Sequence, residues 1–251
     1  MEKVLSAAGK VNALEIYDMV LRKDEAGVCE SPLYRYEGWP YEKALFGIRG
    51  VEVLGWTTRL RKIPGDRFFR GLRSLDLSGS IHLEDVSFLQ EAEGLEFLRL
   101  NDCISLRDIG GVEDLGKLRG VSLEGCREVR TLLPLIRSRS LGRLEYLYLP
   151  PTVDDYELGR ICMFGRRLRH VRIVGAEHVT SLEPVGRLKE LERLTVIGCG
   201  GIRSLAGLEG LKKLRFVDLG DMAGLEDVSA LAGKELERYV MQGCPKVNDK
   251  K

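Results

Sequence analysis

The sequence predicts an α/β solenoid, with short parallel strands stacked into a concave sheet and short 3₁₀ or helical turns on the convex side. Three observations carry that expectation. A twelve-residue phrase, L-x-x-L-x-L-x-x-C-x-x-L, opens nine times, at Ile48, Leu72, Leu95, Leu118, Leu144, Leu168, Leu191, Leu214 and Leu236. Successive openings lie 24, 23, 23, 26, 24, 23, 23 and 22 residues apart, a period too short for two long elements per unit. A second phrase follows the cysteine place with equal regularity, as in Leu106-Arg-Asp-Ile109 and Ile202-Arg-Ser-Leu205.

Each strand is the x-x-L-x-L stretch. Leu98 and Leu100 point inward while Phe97, Arg99 and Asn101 point outward, an alternation with period two and one buried face. Stacking such strands in parallel satisfies their backbone groups and joins their leucines into one core. The second phrase recurs as Leu83 to Val86, Val129 to Leu132, Val179 to Leu182 and Leu225 to Val228. Its third residue is always Asp, Ser or Thr, whose side-chain oxygen can cap a short helical turn. A coil of about 23 residues leaves room for one or two such turns and little more. Asp154-Asp155 falls where this phrase lapses and reads as a loop.

Residues 1–47 do not fit the repeat. Val4, Ala8, Val11, Leu14 and Leu21 follow helical spacing, and residues 33–46 gather Tyr34, Tyr36, Trp39, Tyr41 and Phe46 around Pro32 and Pro40. A solenoid leaves its first coil open to water, so this helical and aromatic block is expected to be a cap. The solenoid is expected over 48–247, with 248–251 a charged tail.

Thirty-nine basic and 38 acidic residues leave a formal charge of +1, so global electrostatics favour neither nucleic acid nor membrane. No apolar run is long enough to span a bilayer, and the first ten residues lack the apolar core of a secretory signal. Cys103, Cys126, Cys199 and Cys244 all occupy the ninth place of the phrase, at the end of the strand. Neighbours such as Cys103 and Cys126 would stand about 5 Å apart, within reach of a disulfide. Burial by repeat phase explains them without one, which favours a reduced, intracellular protein of the cytoplasm or nucleus. With three histidines and no C-x-x-C pair, no zinc site or other cofactor is expected.

These phrases resemble those of leucine-rich-repeat proteins over roughly residues 48–247. The ending C-x-x-L is similar to their cysteine-containing subclass, and the coil length to their short-coil members. The wording G-C-x-x-[LIV]-x-[DS]-[LV] looks like leucine-rich-repeat proteins of kinetoplastid protozoa. The resemblance implies an arc-shaped adaptor without catalytic machinery. Cysteine-containing relatives often carry an F-box, whose leading Leu-Pro phrase the first 47 residues lack.

Outward strand places give the concave face: Gly50, Glu52, Leu54; Ser74, Asp76, Ser78; Phe97, Arg99, Asn101; Gly120, Ser122, Glu124; Tyr146, Tyr148, Pro150; His170, Arg172, Val174; Arg193, Thr195, Ile197; Phe216, Asp218, Gly220; Arg238, Val240, Gln242. Phe97, Arg99, Tyr146, Tyr148, His170, Arg172, Arg193 and Phe216 are the predicted partner-binding residues, because Tyr and Arg dominate interface energies. Residues 119–172 hold eleven arginines, no lysine and six acids. Within them the 26-residue coil carries Arg137, Arg139 and Arg143, and the next coil Arg166, Arg167 and Arg169. These six form a second candidate contact, for an acidic partner or nucleic acid.

The expected function is a non-enzymatic scaffold or regulatory subunit that docks a protein on its concave face within a larger complex. The alternative is a ribonucleoprotein subunit whose arginine-rich middle touches RNA. An enzyme is not expected: G-x-x-x-x-G-K-[ST], H-E-x-x-H and G-x-S-x-G are all missing from the chain. Neither a membrane nor a small-molecule substrate is expected as a partner.

Overall fold

The computed structural model describes residues 22–23, 29–30, 53–55, 57–63, 65 and 67–247. Two short strands, β1 (Arg22–Lys23) and β2 (Cys29–Glu30), pair antiparallel. The rest of the predicted cap, its aromatic block included, lies outside the described residues.

One parallel sheet organises the remainder. Its strands follow chain order: β3 (Val53–Gly55), β4 (Ser74–Asp76), β5 (Phe97–Arg99), β6 (Gly120–Ser122), β7 (Tyr146–Leu149), β8 (His170–Val174), β9 (Arg193–Ile197), β10 (Phe216–Gly220) and β11 (Arg238–Gln242). Leu75, Leu98, Val121, Leu147, Val171, Leu194 and Val217 align across successive strands and are buried. Burying such a side chain stabilises by about 1.5–3 kcal/mol, and here each core residue touches its equivalents one coil away. Stability therefore accumulates coil by coil.

The convex side is built as the second phrase predicts. The side-chain oxygens of Asp85, Asp108, Thr131, Ser181, Ser204 and Asp227 each accept the N–H two residues on, at 2.7–3.2 Å. Turns of 3₁₀ helix follow in most coils. Two coils differ. The 26-residue coil forms a short α-helix, α1 (Leu133–Arg137). The next forms α2 (Asp155–Phe164), ten residues long. Asp154-Asp155 is thus no loop: Asp154 caps α2 by accepting the Glu157 N–H at 2.8 Å. The signal is present as Asp154-x-x-Glu157 ahead of Leu158, Ile161 and Cys162, a capping residue before an apolar helical face.

The cysteine places turn inward. Cys103 donates its thiol to the Leu77 carbonyl at 3.3 Å and Cys126 to that of Leu100 at 2.9 Å. A weak donor thus satisfies an acceptor of the preceding coil inside the core. Cys103, Cys126, Cys162, Cys199 and Cys244 are free thiols.

The first coil departs from its expected phase. Leu54 pairs with Leu75 and is buried at 4% exposure, so it faces the core and not the concave surface. Strand residues here are offset by 21 positions from the next coil, whereas on the convex side Glu84 N–H bonds Arg61 O, 23 positions back. Two residues are missing between strand and turn, so no single frame opening at Ile48 fits both halves.

Candidate functional site

Strand register places the predicted concave residues side by side. Phe97, Gly120, Tyr146, His170, Arg193 and Phe216 form one row across β5 to β10, with Arg238 at its end. Arg99, Ser122, Tyr148, Arg172, Thr195 and Asp218 form the row beside it. All eight predicted partner-binding residues are half-buried: their bodies pack on the sheet while their tips meet solvent.

Packing within the first row is aromatic. Tyr146 sits edge-on to His170 with ring centres 4.7 Å apart, and Phe97 lies 6.4 Å from Tyr146. Gly120 between these two is what allows the approach, since a Cβ there would stand 2.8 Å from the Phe97 ring. Farther along, the Arg193 guanidinium lies over Phe216 at 4.4 Å. Such a pair holds a cation on a desolvated aromatic face. Its Nε is buried with no hydrogen-bond partner among the described residues, although burying a donor without one is costly.

The second row is polar. Arg172 reaches over β7 to Glu124 at 2.8 Å, and Arg99 stands 3.8 Å from Asp76. Between the rows of β7 to β11 lies a depression of about 150 Å³, walled by Tyr148, His170, Arg172, Arg193, Phe216 and Asp218. The early coils present the smaller, more acidic residues Ser74, Asp76 and Ser78, as the outward places predict.

The six other predicted arginines lie apart from this face. Arg137 ends α1, Arg143 ends the following turn, and Arg166 and Arg167 follow α2. Arg137, Arg139, Arg143, Arg166 and Arg167 are exposed on the convex side. Arg169 is engaged elsewhere, meeting Glu192 at 2.5 Å. Among the described residues no group of three or more His, Cys, Asp or Glu is placed to hold a metal ion. No described helix is long and apolar enough to cross a membrane.

Together these features define a leucine-rich-repeat solenoid. The chain superposes on internalin C2 of Listeria monocytogenes over 95% of its own length and 90% of that chain, with TM-score 0.63 and 20% identity. A second Listeria internalin gives TM-score 0.64 at 20% identity, over 80% of this chain and 56% of that one. A leucine-rich-repeat protein of Leptospira interrogans gives 0.58 at 16% identity, over 82% and 58%. At these identities the likeness is one of fold. No protein-family model matches the chain. In sequence, it is 29% identical over 147 residues to the disease resistance protein RRS1 of Arabidopsis thaliana, covering 58% of this chain and 10% of that protein. The chain thus spans about a tenth of the length of the curated relatives it matches.

Proposed function

We propose that the chain is a non-enzymatic docking module that holds a protein partner along its concave face, as a scaffold or regulatory subunit of a larger complex. The observation that carries this reading is the row across consecutive strands in which Phe97 and Tyr146 flank Gly120 and His170, Arg193 and Phe216 follow. Large aromatic and guanidinium side chains, half-buried and already ordered by packing, lose little further entropy on binding. The Tyr148–Arg172–Arg193 depression gives one partner side chain a place to insert. Aromatic anchors at the centre of a patch with charged groups at its rim suit a protein surface.

Affinity capture from nuclease-treated native extract tests this. Partners retained by the wild type and lost by Tyr148→Ala/Arg172→Ala support concave docking. Retention of every partner through all substitutions in the two concave rows would exclude it.

A further inference from the structure

We propose that the convex side of the middle coils is a second site, which binds single-stranded RNA through planar side chains on α2 set in a field of arginines that have no acidic partners among the described residues. This site is separate from the concave face and goes beyond the docking reading.

The charge asymmetry of residues 119–172 is sharper in three dimensions than in sequence. All six acids are engaged. Glu124 meets Arg172, Glu128 meets Arg107 at 3.7 Å, and Glu145 meets Arg119 at 3.0 Å. Asp154 caps α2, while Asp155 accepts the Thr180 N–H at 2.9 Å and its hydroxyl at 2.6 Å. Glu157 accepts the Thr131 hydroxyl and the Leu132 N–H, at 2.9 and 2.6 Å. By contrast Arg137, Arg139, Arg143, Arg160, Arg166 and Arg167 are exposed and make no ion pair among the described residues. The carboxylates serve the scaffold, while these guanidinium groups carry no carboxylate among the described residues, Arg143 donating to the Gly116 carbonyl at 3.5 Å.

They surround an unusual helix face. The inward side of α2 carries Leu158, Ile161 and Cys162. Its outward side carries Tyr156, Arg160 and Phe164, spaced by four residues and thus about 6 Å apart along the axis. Tyr156 is 64% exposed and Phe164 43%, and Met163 on α2 and Leu133 on α1 are also exposed. Arg160 lies over the Phe164 ring at 5.1 Å, which holds the cation and the ring together on this face. The Glu157 bonds to Thr131 and Leu132 draw α1 against α2. The turn at 141–143 packs there as well, since a Cβ on Gly142 would stand 3.7 Å from Phe164 O. Exposed Asp114 and Glu183 on the flanking turns bound the field.

Planar side chains at regular steps accept unpaired bases by stacking, and guanidinium forks pair with phosphate oxygens two at a time. An acidic protein segment would answer the arginines but gives the Tyr156–Arg160–Phe164 stripe no planar partner. The stripe is what selects a nucleic acid with splayed bases.

The test is fluorescence anisotropy on the full chain, with labelled oligouridylate and oligothymidylate of matched length. Poly-L-glutamate is the competitor. Oligouridylate is expected to bind with affinity that falls with salt, by a log–log slope of about −0.7 per phosphate contacted. Tyr156→Ala/Phe164→Ala and Arg166→Glu/Arg167→Glu should each weaken it about tenfold or more. Arg203→Glu/Lys212→Glu, with the same charge change on exposed residues outside the field, should leave it within about twofold. Circular dichroism confirms that each variant folds. Three results would overturn the proposal: no saturable binding, equal loss in the remote variant, or displacement by poly-L-glutamate as effective as by unlabelled RNA. Tighter binding of oligothymidylate than of oligouridylate would overturn RNA as the ligand.

Discussion

Arg119 and Glu145 are separated by 26 residues, against 23 and 24 in the coils on either side, yet their side chains meet at 3.0 Å. They belong to a ladder at the second place of the repeat: Arg73, Glu96, Arg119, Glu145, Arg169, Glu192, Arg215, Glu237, alternating in sign through eight coils. Each backbone N–H from Glu96 onward bonds the carbonyl of the preceding member, at 2.7–2.9 Å. The side chains pair accordingly: Arg73 with Glu96, Arg119 with Glu96 at 3.9 Å, Arg169 with Glu192 at 2.5 Å and Arg215 with Glu237 at 2.5 Å. A slip of one coil would set like charges together, so the ladder helps fix the stacking register. The three extra residues of the 26-residue coil are accordingly absorbed on the convex side.

Reversing one rung should therefore cost more than losing it. Arg119→Glu removes two exposed attractions and places a carboxylate between Glu96 and Glu145. A loss of about 1 kcal/mol by urea denaturation is expected, given the small value of a single exposed pair. Adding Glu145→Arg should recover only part, because the guanidinium it introduces then faces Arg169. Full recovery would mean the pairs act independently.

Close coil contact makes Gly111 intolerant. A Cβ at this position would lie inside van der Waals contact with the Val86 carbonyl of the preceding coil. Gly111→Ala should destabilise by about 1–3 kcal/mol, despite the entropy it removes from the unfolded chain. The check is the thermal midpoint, expected to fall by about 2–4 °C per kcal/mol.

The thiols should be inert while the protein is folded. Burial pushes the Cys162 thiol up to about 12, and burial also raises that of Cys199. The hydrogen bond with Cys126, then burial, raises Cys103. Iodoacetamide must reach the sulfur it alkylates, so the buried Cys103, Cys126, Cys162 and Cys199 should stay unlabelled in the native state and label in urea. The half-buried Cys244 should label without denaturant. Native labelling of Cys162 by mass spectrometry would contradict its place under α2.

Acid should loosen the second coil through Asp85. Burial alone raises its carboxyl, but Lys62 at 2.9 Å and the Ser87 hydroxyl and N–H, at 2.7 and 3.1 Å, outweigh it and hold the group below its ordinary value. A depressed folded pKa contributes stability above the unfolded value near pH 4, and that contribution disappears as pH falls through the folded value. Wild type should lose stability between about pH 4 and pH 2 more steeply than Asp85→Asn. Parallel curves would show that Asp85 contributes nothing to the dependence.

Much of this is legible because repeat register converts sequence spacing into space. Leu98 and Leu100 inward, Asp108 and Ser204 capping, Cys103 and Cys126 buried, and Tyr146 beside His170 all follow from one frame. Where the frame changes length, sequence reading fails. A frame opening at Ile48 puts Leu54 outward because it assumes an offset of 24 residues where the strands pair at 21, and an odd error inverts the two faces. Helix α2 looks like a loop in sequence because the lapse of C-x-x-L at Thr152 hides the cap at Asp154. Arg169 joins the candidate arginines in sequence because its ion-pair partner, Glu192, lies a full coil away, where local charge counting does not reach.

We propose that a protein partner occupies the concave row. This is tested most directly by placing a photo-cross-linking amino acid at Tyr148, at Phe216 and at the exposed Ile104 on a strand-to-turn bend, then irradiating in nuclease-treated native extract. One discrete protein adduct shared by positions 148 and 216 and missing at 104 is expected. Adducts at 104 alone, or none at either concave position, would contradict it.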